Sequence, residues 1–236
     1  MQTCRTTDAP CAALHDPQHQ VRLPQTYATQ LRVRALLFTD LLYSCARLFS
    51  AALDSEARVW TFTSWGRPFR LVCPPVDKSS PDTTPVQVEC GWSYAAILTA
   101  SGDVLVYWPR SGSVYREVHR INTKLDEEDP ASKAQIAENE PGVIPCHAWD
   151  LEGFEPVRLP SIPDNLPIMP LEGNRAGEGV KVVKIAGMDN NVIALTSHGH
   201  VLKYDMLGGE DEYRSGRWQY VSLHHFFRRS RVDGHG

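Results

Sequence analysis

The sequence predicts an all-β protein, a partial β-propeller assembled from one repeated unit. Three observations carry this: an internal repeat with a period near 45 residues, two strand-like runs about a tight turn in each copy, and an abundance of turn formers. Of 236 residues, 17 are proline and 16 glycine, which favours many short elements over long helices.

The repeat is visible on superposition. Residues 44–60 lie over 89–105 at a constant offset of 45, placing Cys45 on Cys90, Phe49 on Tyr94, Ala51 on Ala96, Leu53 on Leu98 and Val59 on Val104. A third copy occupies 186–204. There Thr99-x-x-Gly102-x-Val104-x-x-Tyr107 recurs as Thr196-x-x-Gly199-x-Val201-x-x-Tyr204, an offset of 97. The upstream glycine is displaced by 96, from Gly91 to Gly187, so one residue is inserted between the two landmarks. In each copy small residues precede an apolar run, a polar turn follows, and a second run alternates apolar with polar, which is the pattern of a β-hairpin. The first copy departs by carrying Ala46 and Ala57 at the two glycine positions; a turn that needs φ > 0 would strain Ala57. Periodicity alone would make 35–53 an amphipathic helix. Alignment with the second copy overrules that and leaves a helix open only in 31–43.

Three regions follow. Residues 1–29 are polar and without periodicity and read as a disordered tail; 30–223 hold the partial propeller, about four blades; 224–236 read as a disordered basic tail. Within the propeller, 122–141 (NTKLDEEDPASKAQIAENEP) is expected to be an acidic, solvated insertion inside one repeat; it or a second, eroded repeat accounts for the doubled spacing before the third copy.

Charge and composition exclude several classes. With 24 basic and 28 acidic residues the net charge is −4, which disfavours a nucleic-acid partner. The most apolar stretch, 31–53, is broken by Arg32, Arg34, Asp40 and Arg47, so no membrane span or membrane partner is expected. The first thirty residues lack the apolar core of a signal peptide, and the six cysteines show neither CxxC nor regular spacing. A reducing compartment is expected, the cytoplasm and also the nucleus.

No motif points to catalysis, a cofactor or a metal. Gly91-Trp-Ser93-Tyr-Ala95 is one residue short of a Gly-x-Ser-x-Gly nucleophile elbow, but an elbow needs a helix after the serine and a strand follows here. His198 and His200 make half a metal site without a third ligand, and read as solvent-facing turn residues. Cys146 and His147 are adjacent, so in a strand they point to opposite faces and cannot pair for nucleophilic chemistry. Cys45 and Cys90 share one repeat position and read as small buried hydrophobes. The run Gly173 to Gly179 fits no phosphate-binding pattern, and Arg228, Arg229 and Arg231 read as a solvated basic cluster. Trp60, Trp65, Trp108, Trp149 and Trp218 recur at blade edges, where flat side chains fill the wedge between sheets. Strand starts and loops on a propeller face are the usual contact surface, which singles out Trp92 and Ser93 and the equivalent Met188, Asp189 and Asn190 as partner-binding residues.

The unit resembles the repeat of the regulator of chromosome condensation family, the beta-lactamase-inhibitor-protein-II-like propellers. The resemblance rests on Gly91, Ala96, Leu98, Thr99, Gly102, Val104, Tyr107 and Trp108 in the second copy and on Gly187, Ala194, Leu195, Thr196, Gly199, Val201 and Tyr204 in the third. Residues 58–71 (RVWTFTSWGRPFRL) resemble more closely the fungal F-box propeller proteins similar to the SCF-associated factor. That resemblance implies a substrate receptor of a cullin-RING ubiquitin ligase, so a protein partner, although residues 1–30 contain nothing like the leucine-rich F-box. It implies alternatively nucleotide exchange on a small GTPase, the activity of the family's founding member. Seven such blades need about 350 residues, whereas about 207 remain after the tail, so the chain is expected to be a fragment with bare blade faces and poor independent stability. A truncated product without function is the remaining alternative.

Overall fold

The structure, a computed structural model, describes residues 30–34, 42–64, 66–128, 143–167 and 179–221. The expected tails 1–29 and 224–236, residues 129–141 of the insertion and Trp65 lie outside them. A two-stranded ladder pairs β1 (Gln30–Arg34) with the later β9 (Val143–His147). Residues 31–34 are therefore strand, not helix. Three antiparallel sheets of one design follow. Blade 1 is β2 (Leu42–Cys45), β3 (Ser50–Leu53), β4 (Val59–Phe62) and β5 (Phe69–Val72). Blade 2 is β6 (Pro85–Cys90), β7 (Ala95–Thr99), β8 (Val104–Tyr107) and, later, β11 (Val157–Arg158). Blade 3 is β12 (Val182–Met188), β13 (Asn191–Thr196), β14 (Val201–Tyr204) and β15 (Trp218–Tyr220). These sheets make an all-β, partial propeller, with three complete blades among the described residues.

The insertion interrupts blade 2 between its third and fourth strands. Its composition misled at one point. Residues 122–128 are not loop but the last two turns of helix α1 (Gly112–Glu128), whose Val114, Val118 and Ile121 recur at i, i+4 and i+7 and are buried. Glu210 holds the helix start, accepting from the Ser113 amide (2.7 Å) and hydroxyl (2.8 Å). The chain then returns through β10 (Trp149–Glu152), which pairs in parallel with β5 and widens blade 1 to five strands.

The core lies between blades. Ala51, Leu53, Val59, Phe69 and Leu71 of blade 1 meet Cys90, Ala95, Ile97, Leu105 and Tyr107 of blade 2. The opposite face of blade 2, Ala96, Leu98, Val104 and Val106, meets Val182, Ile185, Val192, Ala194 and Leu202 of blade 3. Blade 2 is thus covered on both sides, and every residue of β7 and β8 is buried. That is why AAILT and VLVY read as unbroken apolar runs. In β4 and β14 burial alternates, one side facing a neighbour and the other not.

The repeated turn is reproduced atom for atom. Asp54, Thr99 and Thr196 each donate their amide to the carbonyl four residues on, at Arg58, Asp103 and His200 (3.1, 2.9 and 2.9 Å). Their side-chain oxygens accept the amides of those same residues at 2.9, 3.1 and 3.0 Å. Asp54 therefore replaces threonine without losing the turn. Burial raises its carboxyl, but bonds from the Trp60 indole and the Arg58 amide, together with the Arg58 guanidinium, outweigh that and hold it below the usual range. The third turn residue has φ of +100° at Gly102, +81° at Gly199 and +59° at Ala57. Ala57 carries the strain that its sequence position implied. Replacing it with glycine is expected to stabilise the protein by about 0.5–1 kcal/mol, read as a raised urea midpoint with unchanged slope.

His200 corrects the reading of the third turn. It is 2% exposed, with Nδ1 3.0 Å from the Thr196 hydroxyl and Nε2 2.6 Å from the Pro167 carbonyl oxygen. Pro167 lies against a ring that the sequence reading placed in water. Cys45 also differs from expectation: it is exposed, whereas Cys90 is 7% exposed and burial pushes its thiol up to about 12. Both sit on the same side of their blade, and of these two blades only blade 2 has another described sheet against that side.

Candidate functional site

The three innermost strands, β2, β6 and β12, lie side by side, so the hairpin after each emerges at one end of the arc. These hairpins contain Arg47 and Leu48, Trp92 and Ser93, and Asp189 and Asn190. The first two are four-residue loops closed by the Ala46 amide on the Phe49 carbonyl and the Gly91 amide on the Tyr94 carbonyl, both 2.9 Å. In blade 3 the inserted residue lets Met188 pair with Asn191, leaving a two-residue turn in which Asp189 takes φ of +47°, a conformation aspartate tolerates. Residues 92–94 are accordingly a turn before β7 rather than its first residues.

Close backbone approach joins the hairpins. The Trp92 amide donates to the Asp189 carbonyl at 2.6 Å, and the Tyr94 hydroxyl donates to the Asn191 carbonyl. A Cβ at Gly91 would overlap the Tyr94 ring and the Asp189 carbonyl, and one at Gly187 would overlap the Cys90 carbonyl. On the other side, Ser44 accepts the Cys90 amide at 2.9 Å and donates to Glu89 at 3.2 Å. The Arg47 guanidinium lies 5.6 Å from the centre of the Trp92 ring.

Five sequence-predicted site residues thus come together across two blades. Trp92 is 55% exposed and Met188 50%; Asp189 and Asn190 are exposed, and Ser93 is half-buried. Sequence reasoning missed Arg47, Leu48 (59% exposed) and Met206 (43% exposed). Arg47 aligns with Trp92 at the 45-residue offset, so the repeat could have found it. Met206 is brought in only by the fold: the neighbouring Leu207 amide donates to the Asn190 carbonyl at 3.0 Å, and its carbonyl accepts from the Trp108 indole at 3.0 Å. Leu48, Trp92, Met188 and Met206 are thus exposed apolar side chains on or beside these hairpins, with Arg47 and Asp189 next to Trp92. Single exposed apolar side chains are ordinary; several on neighbouring hairpins are the kind of surface that a partner can cover.

The serine of the near-elbow stands in a hairpin with strands on both sides, a geometry that does not build an elbow. Among the described residues no three His, Cys, Asp or Glu side chains come together as a metal site, and no helix is long and apolar enough to cross a membrane.

The architecture and the site define a partial propeller that presents a hairpin face. No known protein family matches the chain, and no curated protein does. Solved structures similar to it are of the chromosome-condensation-regulator type. Human WBSCR16 matches at 15% identity with a TM-score of 0.38, over 77% of this chain and 39% of that one. Prp20p of Saccharomyces cerevisiae, whose structure is described with its binding to Gsp1p and histones, matches at 13% with a TM-score of 0.40, over 77% and 37%. The yeast protein bound to Kap60 matches at 12% with a TM-score of 0.35, over 72% and 34%. The chain therefore spans less than two-fifths of each of these proteins, and the blade assignment rests on its own three sheets.

Proposed function

We propose that this chain is a non-catalytic protein-interaction module that docks its partner on the hairpin face. The observation that carries the reading is Trp92: a large aromatic, more than half exposed, held by its amide on Asp189 and by Arg47 against its ring. Tryptophan and arginine are the side chains that most often dominate binding energy when a partner buries them. The finer reading, recognition of a protein destined for ubiquitination, rests on the sequence resemblance at residues 58–71; residence in the cytoplasm and nucleus belongs to the same proposal.

The test compares proteins recovered by proximity labelling with wild type and with Trp92→Ala. Removing an interface tryptophan is expected to weaken binding by about 30-fold or more while leaving the unfolding midpoint in place. A partner set indifferent to Trp92→Ala overturns the site. Partners whose ubiquitination falls when the chain is depleted support the receptor reading. Accelerated GDP release from a Ran-type GTPase would move it to the exchange reading.

A further inference from the structure

Helix α1 carries its charges in the reverse of the order that favours a helix. Carboxylates are stabilising near a helix start and cations near its end, because the aligned peptide dipoles leave the start positive. α1 has no acidic residue in its first turn and no basic residue in its last. Arg116, His119 and Arg120 stand in its first half, and Asp126, Glu127 and Glu128 close it. The acidic end has a local use: Asp126 pairs with Arg67 at 2.9 Å and Glu128 with Lys124 at 3.6 Å. The basic half is only partly used. Arg120 holds both oxygens of Glu117, at 2.9 and 2.5 Å, whereas Arg116 is exposed and has no ion pair among the described residues.

An aromatic platform shares this face. Val114, Val118 and Ile121 are buried, while Tyr115, Arg116, His119 and Arg120 are exposed. The Tyr115 ring, 39% exposed, stacks on His119 with centres 5.9 Å and planes 18° apart. The exposed Arg110, just before the helix, sets its guanidinium 5.8 Å from the centre of the same ring and donates from Nη1 to the Thr63 carbonyl at 3.4 Å. These contacts hold the side chains in place, so a ligand meeting them has less rotamer freedom to remove. The carboxylates bonded to this stretch are already engaged, Glu117 by Arg120 and Glu210 by Ser113.

We infer that the exposed face of the first half of α1, together with Arg110, docks an acidic peptide segment of a partner protein. The carboxylates of that segment meet Arg110, Arg116 and Arg120, and an apolar or aromatic side chain lies on Tyr115. The chemistry is that of Arg120 with Glu117 on the same helix, where a planar guanidinium takes both oxygens of one carboxylate. A nucleic acid fits less well. It calls for a row of cations tracking successive phosphates, and this short stretch lies on a chain of net charge −4. The surface uses no residue of the hairpin face, so it stands or falls separately from docking at Trp92.

The test is fluorescence anisotropy of a labelled peptide of four Asp-Glu-Phe-Glu repeats, titrated with the full 236-residue chain. Wild type is expected to bind it at least about tenfold more tightly than the same peptide with Asn and Gln replacing the acids, and less tightly as salt rises. Arg116→Glu, at an exposed position, is expected to lower the affinity by about tenfold or more with wild-type circular dichroism, and Arg110→Glu to do the same. Trp92→Ala is expected to leave the affinity unchanged. A wild type that binds neither peptide, or an Arg116→Glu variant that binds as wild type does, overturns the inference. Tighter binding of an oligothymidylate of similar charge overturns it in favour of a nucleic-acid partner. Loss of peptide binding in Trp92→Ala also overturns it, because the peptide would then lie on the hairpin face.

Discussion

Gly187→Ala is expected to destabilise the protein by about 3 kcal/mol or more, read as a fall in the urea midpoint. The added Cβ would overlap the Cys90 carbonyl oxygen and carbon and the Gly91 nitrogen, all of them backbone atoms. A flexible side chain could swing away; these atoms can yield only by separating β6 from β12. That separation would strip contacts from Val182 and Ile185 and lengthen the 2.6 Å bond from Trp92 to Asp189. The variant should therefore lose stability and disturb the hairpin face together, whereas Trp92→Ala changes the face alone. A wild-type midpoint for Gly187→Ala would show that the inner strands do not approach as described.

Trp108→Ala is expected to cost about 4 kcal/mol. Trp108 follows β8, is 2% exposed, and sits among Tyr94, Leu159, Leu207 and Trp218 between blades 2 and 3. Its indole donates to the Leu207 carbonyl, and its ring lies 5.8 Å from that of Tyr213. Truncation removes the packing and leaves that carbonyl without its donor. Trp108→Phe separates the terms, because it keeps most of the volume and loses only the hydrogen bond, at about 2 kcal/mol. Against a total stability of about 5–15 kcal/mol, the alanine variant should show blade 3 melting ahead of blades 1 and 2, as earlier hydrogen exchange in β13 and β14. Uniform exchange with an unchanged midpoint would mean that the blades are not coupled through this residue.

The internal repeat made much of the fold legible. A short-range pattern fixes a hairpin because its determinants are local: an oxygen at Asp54, Thr99 or Thr196 to accept an amide four residues on, and a residue near φ of +60 to +100° to turn the chain. Local patterning also located the insertion within one repeat. Helix α1 was missed because acidic composition at 122–128 outweighed the three apolar positions that precede and begin it. Those positions count only when a surface exists for them to cover.

Around the candidate site, the repeat placed Trp92 and Met188 to Asn190 on equivalent hairpins, and the structure brings the Trp92 amide onto the Asp189 carbonyl. Burial is what sequence could not give. Cys45 and Cys90 occupy one repeat position, yet only Cys90 is covered, and Leu98 and Leu195 differ in the same way. A side chain's exposure depends on the sheet that packs against it, and that sheet comes from residues tens of positions away. His200 likewise is buried, with its ring on the Pro167 carbonyl, a contact that no spacing around the turn announces. The sequence alone determined the unit, its turns and its period, since these are settled within some twenty residues. Only the tertiary structure decided which faces are covered, which hairpins share an end, and where Arg47, Leu48 and Met206 join Trp92, because packing between blades is non-local.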